Sequence, residues 1–446
     1  MSSPTRSSRT GFFVAITFGL IAFVHSPAAA VEFTAGAASV DITPDPASIN
    51  WVNNRPYDGI VDRLHVRALV LASGETRVGI LTLDITEINE SNLVEIRQAV
   101  SGATAIPARH ILVNTSHTHS GPTSPNFQWT GVSPPKKILV NEPLANWNRQ
   151  LPERCAQAVR EADRSRRPVS LGIARANVGE WLFNRRPVRP DGSVKSTMVP
   201  ANPYVLPEGM RFGPVDPIVE VLALRDPEGK SVATLFNLGC HAVTVYGESK
   251  GISADWPGVA CRKIQEALGG EAFFLQGCGG DIVPARRGLK QANDMGAWIA
   301  GRVVSAAAQS LALTPEPLTV SQAIIGLPLT KASRLRMGQP TTDAEIQVIT
   351  CGDLAIVALP GEPLTGLAAA IKKDSPFPHT LVLGYSNGDG ACYVGLPGEK
   401  TKGGYEMGLP GLGTDECGGL MVATALRLLR EHRVAPTSAV GRILGR

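Results

Sequence analysis

The sequence lacks the features by which several classes of protein are recognised. Its seven cysteines show no C-x-x-C spacing, so no cysteine-based metal site is visible. No block of lysine and arginine is long enough to indicate a nucleic-acid-binding surface, and the formal net charge is only +4. After the first 30 residues, no apolar stretch approaches the length of a membrane span. We therefore expect a globular protein, and 446 residues are enough to bury a large core.

The amino-terminal segment has the composition of a secretory signal peptide. Arg6 and Arg9 form a short basic region, Gly11–Val24 is apolar, and Pro27–Ala30 supplies small residues for cleavage. Residues 1–30 are predicted to be removed near Ala30, which would make residues 31–446 a secreted or periplasmic catalytic domain. An uncleaved anchor is the alternative, but the apolar run is short for a membrane helix. In an oxidising compartment some cysteines could pair, although an odd count leaves at least one free.

Strand-like and helix-like segments alternate along the rest of the chain. The predicted strands are Val66–Leu71, Val78–Leu83, His110–Val113, Val219–Leu224, Ala233–Leu238, Ala272–Leu275, Leu354–Leu359 and Leu381–Leu383. The predicted helices are Asn92–Val100, Asn146–Ala162, Gly258–Leu268, Asp294–Leu311, Leu364–Lys373 and Gly418–His432. Asp191–Phe212 contains several Pro and Gly residues and is predicted to be a long loop. The alternation predicts an α/β fold with a substantial mixed β-sheet and flanking helices.

Four of the predicted strands run directly into loops that carry polar side chains. The candidate residues in these loops are His117 and His119 after Ile111–Val113, His241 after Leu235–Phe236, Asp281 after Phe273–Leu275, and Glu362 after Ile356–Leu359. In α/β proteins, ligands bind outside the carboxyl ends of the strands, so we expect these loops to converge on one site.

The residue types in these loops are those of a metal site. His117 and His119 are two positions apart, so in an extended segment they point to the same side. They can share a metal, or one can bind the metal while the other contacts a substrate. The H-x-H spacing alone is equally consistent with two hydrogen-bonded loop residues, and a carboxylate such as Glu362 is also favoured at a helix start. However, neutral histidines with one carboxylate form the usual ligand set of a catalytic zinc, which lowers the pKa of a bound water to about 7.

The same segments resemble the neutral, non-lysosomal ceramidases, from about Phe33 to His432. The matching segments are Gly36–Ala38, Asp41–Pro44, Arg67–Leu71, Ser116–Pro122, Asn184–Arg186, Asp216–Pro217, His241, Ser253–Gly258, Gly280–Asp281, Pro360–Glu362, Ser386–Asn387, Tyr393 and Tyr405–Glu406. Each of them is short and not specific by itself. Their common order over most of the chain carries the resemblance.

The resemblance implies a role for individual residues. His117, His241, Glu362 and Tyr393 would bind one zinc ion per chain. His119 and Tyr405 would polarise the carbonyl group that is cleaved, and Arg185 would line the site. Each tyrosine could instead be a packing residue with a satisfied hydroxyl group.

Three departures from the family pattern limit what the resemblance implies. Val283 stands where the ceramidases have a catalytic serine, and valine can neither donate a proton nor attack a carbonyl. Zinc chemistry would survive this change, with Asp281 as a candidate proton shuttle. The segment Asn387–Tyr393 is one residue longer than the family pattern. The sequence also ends at Arg446, before the carboxyl-terminal β-sandwich domain of ceramidases.

We therefore expect an exported zinc-dependent hydrolase that cleaves the amide bond of a ceramide-like N-acyl substrate with activated water. A zinc esterase or lactonase is the alternative within the same chemistry, and a metal-binding protein without activity is the alternative outside it. The expected partner is a small molecule or a lipid, and peripheral contact with a membrane is compatible with the lipid. No nucleic-acid or protein partner is indicated.

Overall fold

The computed structural model describes Met1 and residues 32–124, 128–129, 136–313 and 318–433. The predicted signal peptide and its cleavage position near Ala30 lie outside these residues. The described part of the chain contains several mixed β-sheets with helices packed on them. The predicted α/β class is thus confirmed.

Three sheets form the centre of the fold, and each contains one pair of parallel strands beside antiparallel ones. The first sheet has the order β6 (Ile111–Thr115), β5 (Thr76–Leu83), β4 (His65–Ser73), β1 (Phe33–Asp41), β9 (Arg167–Pro168). The second has the order β14 (Glu271–Gln276), β13 (Ser231–Leu238), β12 (Ile218–Arg225), β10 (Ser170–Asn177), β16 (Leu311–Leu313). The third has the order β17 (Thr319–Pro328), β18 (Thr341–Cys351), β19 (Leu354–Ala358), β21 (His379–Leu383).

Short strands and helices complete the described chain. Four two-stranded pairs are β2 (Ile49–Asn50) with β3 (Arg55–Pro56), β7 (Gln128–Trp129) with β8 (Lys136–Lys137), β11 (Leu182–Asn184) with β15 (Ile282–Pro284), and β20 (Glu362–Pro363) with β22 (Tyr393–Val394). The helices are α1 (Glu90–Thr104), α2 (Glu142–Arg164), α3 (Asp255–Leu268), α4 (Leu289–Ala308), α5 (Lys331–Met337), α6 (Thr365–Asp374), α7 (Glu399–Lys402) and α8 (Cys417–Arg433).

Both faces of each sheet are buried, because neighbouring side chains on a strand point to opposite sides. In β4, Leu69 and Leu71 belong to a central core that also contains Leu222 of the second sheet and Ile356 of the third. On its opposite face, β4 presents Val70 to a second core formed with α1 and α2. The outer faces of the other two sheets are covered in the same way, by α3 and α4 and by α6 and α8. The three sheets thus pack against one another and the helices lie outside.

The predicted strands and helices are present, but the sheet organisation differs from the prediction of one substantial sheet. Four long strands were not predicted: β1, β10, β17 and β18. The predicted helix to Leu311 ends at Ala308, because the next residues form β16 and pair with Leu171–Ile173 at a sheet edge. Pairing with a distant strand overrides local preference in these segments. The Asp191–Phe212 segment contains neither a helix nor one of the strands given above, as predicted.

Two further expectations concern cysteines and membranes. All seven cysteines are free thiols, and six of them are buried. Within the described ranges, we find no helix with the length and apolar character needed to cross a membrane.

Candidate active site

The three parallel strand pairs end at the same place. The pairs are β5 with β6, β13 with β14, and β19 with β21, and parallel partners have their carboxyl ends at the same edge. His117 follows β6, His241 follows β13, and Glu362 follows β19. The predicted convergence of strand-end loops is therefore present in the structure.

Two buried amide side chains join the three sheets below these loops. Asn114 at the end of β6 donates from Nδ2 to the carbonyl of Gly384, which follows β21, at 2.8 Å. Its Oδ1 accepts from the backbone N–H of Gln276, at the end of β14, at 2.9 Å. Gln276 in turn donates to the carbonyl of Cys240 at 2.8 Å. Because both side chains are fully buried and hydrogen-bonded, they hold the strand ends in one arrangement.

The hydrogen bonds of His117 and His241 determine which ring nitrogen is free. Nδ1 of His117 lies 2.8 Å from the carbonyl of Thr86, and Nδ1 of His241 lies 2.8 Å from the carbonyl of Gly279. A carbonyl oxygen only accepts, so Nδ1 carries the proton in both rings. In the neutral rings, Nε2 therefore presents a lone pair. Burial lowers the pKa of His241 to about 3, which favours the neutral ring.

These lone pairs meet a carboxylate oxygen. Oε2 of Glu362 lies 3.3 Å from Nε2 of His117 and 3.2 Å from Nε2 of His241. Nε2 of His241 is buried without a hydrogen-bond partner. Three electron-pair donors that face one another in this way require a cation between them, unless one ring is protonated.

The spacing of these atoms fits zinc. Ligands at about 2.0–2.1 Å from a tetrahedral zinc are roughly 3.3 Å from one another, and the two distances to Glu362 Oε2 are 3.2 and 3.3 Å. The carbonyls of Thr86 and Gly279 supply the outer hydrogen bonds that orient metal-binding histidines. The residues present are thus suited to a metal ion.

His119 extends this cluster toward the surface. Its Nε2 lies 3.2 Å from Nε2 of His117, and one ring nitrogen from each of His117, His119 and His241 lies within 4.8 Å of the other two. The ring is packed against Trp51 and Tyr246, with centroid distances of 5.1 and 5.3 Å. Burial and the neighbouring His117 lower the pKa of His119 well below its ordinary value. A neutral His119 can either bind the metal or contact a substrate.

Several of these loops have unusual backbone conformations. Among the described residues, seven that are not glycine have a positive φ, and four of them lie here: His117, Tyr385, Asn387 and Cys392. Such conformations persist where the surrounding structure holds them, and they concentrate at functional sites. Gly280 reflects the same close packing, because a Cβ there would lie 2.5 Å from the carbonyl oxygen of Glu362.

Arg185 connects the two predicted tyrosines to a buried carboxylate. Its Nη2 donates to the hydroxyl of Tyr393 at 3.0 Å, and its Nε donates to Glu406 at 2.7 Å. The guanidinium group lies 5.5 Å from the ring centre of Tyr393 and 5.8 Å from that of Tyr405. Glu406 also accepts from Arg186 at 2.9 Å and is fully buried. These contacts hold both tyrosines at the cavity wall.

Tyr393 lies beside Glu362, because β22 and β20 pair in parallel with these two residues opposite each other. Burial raises the pKa of Tyr393 well above its ordinary value, Glu362 raises it further, and Arg185 opposes them. Its assignment as a zinc ligand stays a prediction.

Asp281 does not line the cavity, and its carboxylate is bonded to other residues. Its carboxylate accepts from the backbone N–H of Thr365 at 2.8 Å, from the Thr365 hydroxyl at 2.8 Å and from Asn184 at 2.8 Å. Its backbone carbonyl accepts from the N–H of Arg185 at 2.8 Å. These contacts suit a residue that positions Arg185 and the start of α6, and its role as a proton shuttle stays a prediction.

Val283 is fully buried in an apolar cluster with Phe183, Val243 and Ala285. It is not among the residues that line the cavity. A serine-dependent step has no side chain to carry it at this position.

A cavity of about 390 Å³ opens over the cluster. Its wall consists of Trp51, Val52, Thr86, Glu87, His117, His119, Arg185, Met198, Tyr246, Glu362, Cys392, Tyr393, Tyr405 and Pro410. Six of the eight predicted site residues line this wall: His117, His119, Arg185, Glu362, Tyr393 and Tyr405. His241 lies behind the wall and meets Glu362, and Asp281 lies behind it next to Arg185.

Two residues near His117 and Glu362 were not predicted. The Tyr385 ring lies 4.4 Å from the His117 ring, and its hydroxyl donates to Glu362 Oε2 at 3.3 Å. Glu87 lines the cavity next to Thr86, whose carbonyl holds His117. Both follow predicted strands, Leu381–Leu383 and Val78–Leu83, so the rule of strand-end loops would have found them. Trp51, Met198 and Tyr246 carry no comparable signal, because they come from loops whose path is set by tertiary contacts.

Solved structures with a similar fold are known. Neutral ceramidase from Pseudomonas aeruginosa matches with a TM-score of 0.69 at 16% sequence identity, over 90% of this chain and 75% of that chain. The chain has the neutral ceramidase fold. A second structure, a ceramidase complexed with C2, matches with a TM-score of 0.69 at 16% identity, over 92% of this chain and 77% of that chain. No family model matches the sequence. This fold agrees with the resemblance found in the sequence. At 16% identity, the match is evidence for the fold alone.

Proposed function

We propose that this protein is an exported zinc-dependent hydrolase that cleaves the amide bond of an N-acyl substrate. The observation that carries the proposal is the meeting of His117 Nε2, His241 Nε2 and Glu362 Oε2 at 3.2–3.3 Å. It is supported by the ceramidase fold around these residues. Export is supported by the sequence of residues 1–30.

His117, His241 and Glu362 would hold the ion, with Tyr393 as the fourth ligand implied by the resemblance. A bound zinc polarises the substrate carbonyl and makes water a nucleophile at neutral pH. Neutral histidines and one carboxylate leave a single positive charge on the site, which favours the negative charge that develops on the carbonyl oxygen.

His119 and Tyr405 would complete the polarisation of that carbonyl. Both line the cavity, and Trp51 and Tyr246 fix the orientation of the His119 ring. Arg185 holds Tyr393 by a hydrogen bond and faces the Tyr405 ring. Donors fixed before the reaction stabilise an oxyanion without having to reorganise.

The cavity walls suit an acyl chain. Trp51, Val52, Met198, Tyr246 and Pro410 are apolar or aromatic, and they lie beside the polar cluster. Binding sites for small molecules combine such walls with a few polar groups that fix orientation. A lipid of the ceramide class is therefore one candidate substrate, and Val283 argues against a reaction that needs a serine. Val199 and Leu409, next to the lining residues Met198 and Pro410, are 62% and 49% exposed, which supports peripheral contact with a membrane.

Metal content and hydrolysis measured together test the proposal. We expect about one zinc per chain in the purified mature protein, because the site holds one set of ligands. Hydrolysis of a panel of N-acyl amides should disappear on chelation and return when zinc is added. Esters with the same acyl groups serve as the comparison.

Each of the other outcomes would assign a different function. Hydrolysis of esters but not amides would identify a zinc esterase or lactonase. Bound zinc with no turnover would indicate a metal-binding protein without activity, and no bound metal would contradict the site.

His119→Ala separates the two roles open to this residue. We expect the variant to keep its zinc and to turn over roughly 10² to 10³ times more slowly, since one oxyanion donor is lost. Zinc content by atomic emission and kcat on the best amide are the measurements. Loss of the metal in this variant would make His119 a ligand instead.

A further inference from the structure

Amide hydrolysis requires a proton for the amine that leaves, and no residue has been assigned to that step so far, since His119 and Tyr405 are assigned to the carbonyl oxygen. His117, His241 and Glu362 are occupied as ligands, and Asp281 does not line the cavity. Arg185 does not give up its proton in proteins. The acidic residues of the cavity wall are Glu87 and Glu362.

Glu87 lies close to a second carboxyl group. This is Asp389, on the loop that follows β21. Asp389 does not line the main cavity but lies in a small adjoining one together with Glu87 and Glu362. Oε1 of Glu87 is buried and accepts no hydrogen bond from an N–H or O–H group, so nothing offsets the cost of a negative charge there and the pair can retain a proton.

The surroundings hold this pair in place. Oε1 of Glu90 accepts from the backbone N–H groups of Asp389 and Gly390 at 3.0 Å each. The carbonyl of Glu87 accepts from the Ser124 hydroxyl at 3.0 Å. Glu87 also adjoins Thr86, whose carbonyl orients His117, so the pair has a fixed position relative to the metal cluster.

Burial raises the pKa of both carboxyl groups well above their usual range. For Glu87 the nearby Asp389 and Glu90 raise it further, and for Asp389 the nearby Glu90 does so. The effect of like charges is the one that lets paired carboxyl groups keep a single proton near neutral pH.

We propose that Glu87, paired with Asp389, is a catalytic acid–base residue that protonates the leaving amine. This assignment rests on the proposed function. As the C–O bond forms, the attacking water loses a proton to the carboxyl pair. As the C–N bond breaks, Glu87 gives a proton to the amine nitrogen. The pair thus ends with as many protons as it began with, and the products are a carboxylic acid and an amine.

The dependence on the leaving group tests this role. An alkyl amine leaves only after it gains a proton, whereas 4-nitrophenolate leaves without one. In Glu87→Gln, we expect kcat for an N-acyl alkylamine to fall by roughly 10² or more. Turnover of the 4-nitrophenyl ester of the same acid should fall by a factor at least about 10 times smaller, because the ester needs the carboxyl pair only as a base, and zinc content should be unchanged.

Two further variants distinguish chemistry from structure. Asp389→Asn lies outside the main cavity and should also slow the amide more than the ester. Glu95→Gln is the matched control, because Glu95 is an exposed carboxylate on helix α1 and does not line the cavity. Its ratio of amide to ester turnover should equal that of the wild type.

Equal losses for amide and ester in both Glu87→Gln and Asp389→Asn, or an unchanged amide rate in Glu87→Gln, would overturn the role of Glu87. A wild type that hydrolyses neither substrate would overturn the proposed function, and the role of Glu87 with it. Only the first result leaves the wild-type enzyme active, so the two failures are distinguishable.

Discussion

Replacing His241 with alanine is expected to abolish zinc binding and to reduce amide hydrolysis by at least about 10³-fold, since the metal contributes several kcal/mol. His241 is fully buried, and its Nδ1 bond to the Gly279 carbonyl directs Nε2 at Glu362. His117→Ala should have the same effect, because its Nε2 lies 3.3 Å from the same oxygen. Zinc content and kcat/KM are the measurements.

His110→Ala is the matched control for these variants. Nδ1 of His110 also bonds to a carbonyl, that of Arg77 at 3.0 Å. The residue lies directly before β6. It is not among the residues that line the cavity. The control should keep its metal and activity, and normal zinc content in both His117→Ala and His241→Ala would contradict the ligand assignment.

Replacing Glu406 with glutamine is expected to lower the free energy of unfolding by roughly 3–5 kcal/mol, because it removes one partner of a buried ion pair. Glu406 is fully buried and bonds to Arg185 at 2.7 Å and to Arg186 at 2.9 Å. A neutral amide no longer balances the positive charge of the two guanidinium groups, which are shielded from water. Urea unfolding of the variant and the wild type measures the difference.

Glu431→Gln provides the comparison for this change. Glu431 pairs with Arg427 at 2.6 Å, but both side chains are about half exposed. Exposed pairs contribute roughly 0–1 kcal/mol, so this variant should unfold close to the wild type. If both substitutions lowered the free energy of unfolding equally, the buried pair would not have the role that we assign to it.

We also expect Glu406→Gln to be less active, since Glu406 positions Arg185 beside Tyr393 and Tyr405.

The candidate site was predictable where it depends on local chain pattern. Apolar strands that end in loops with His and Glu identified His117, His241 and Glu362, and the structure brings these three together. The same rule applied to Leu381–Leu383 and Val78–Leu83 would have added Tyr385 and Glu87. The resemblance, and not the pattern, supplied Arg185, Tyr393 and Tyr405, which lie at the same cavity. Their roles stay predictions.

Asp281 shows where pattern reasoning fails. It follows a buried strand as the histidines do, yet its carboxylate is used by Thr365 and Asn184. Whether a strand-end side chain faces the cavity or the packing behind it depends on which distant segment lies against it. No local signal contains that information.

By itself, the sequence determined the α/β class, the helices, most core strands and the convergence of the strand-end loops. These features follow from the periodicity of apolar residues, which acts over a few positions. The tertiary structure decided the rest: the division into three sheets, the long strands β1, β10, β17 and β18, and the cavity wall around Trp51 and Tyr246. Those features depend on pairing and packing between residues far apart in the chain, such as the Asn114 and Gln276 contacts that join the three sheets. Such contacts form only when the whole chain has folded, so no short window of sequence specifies them.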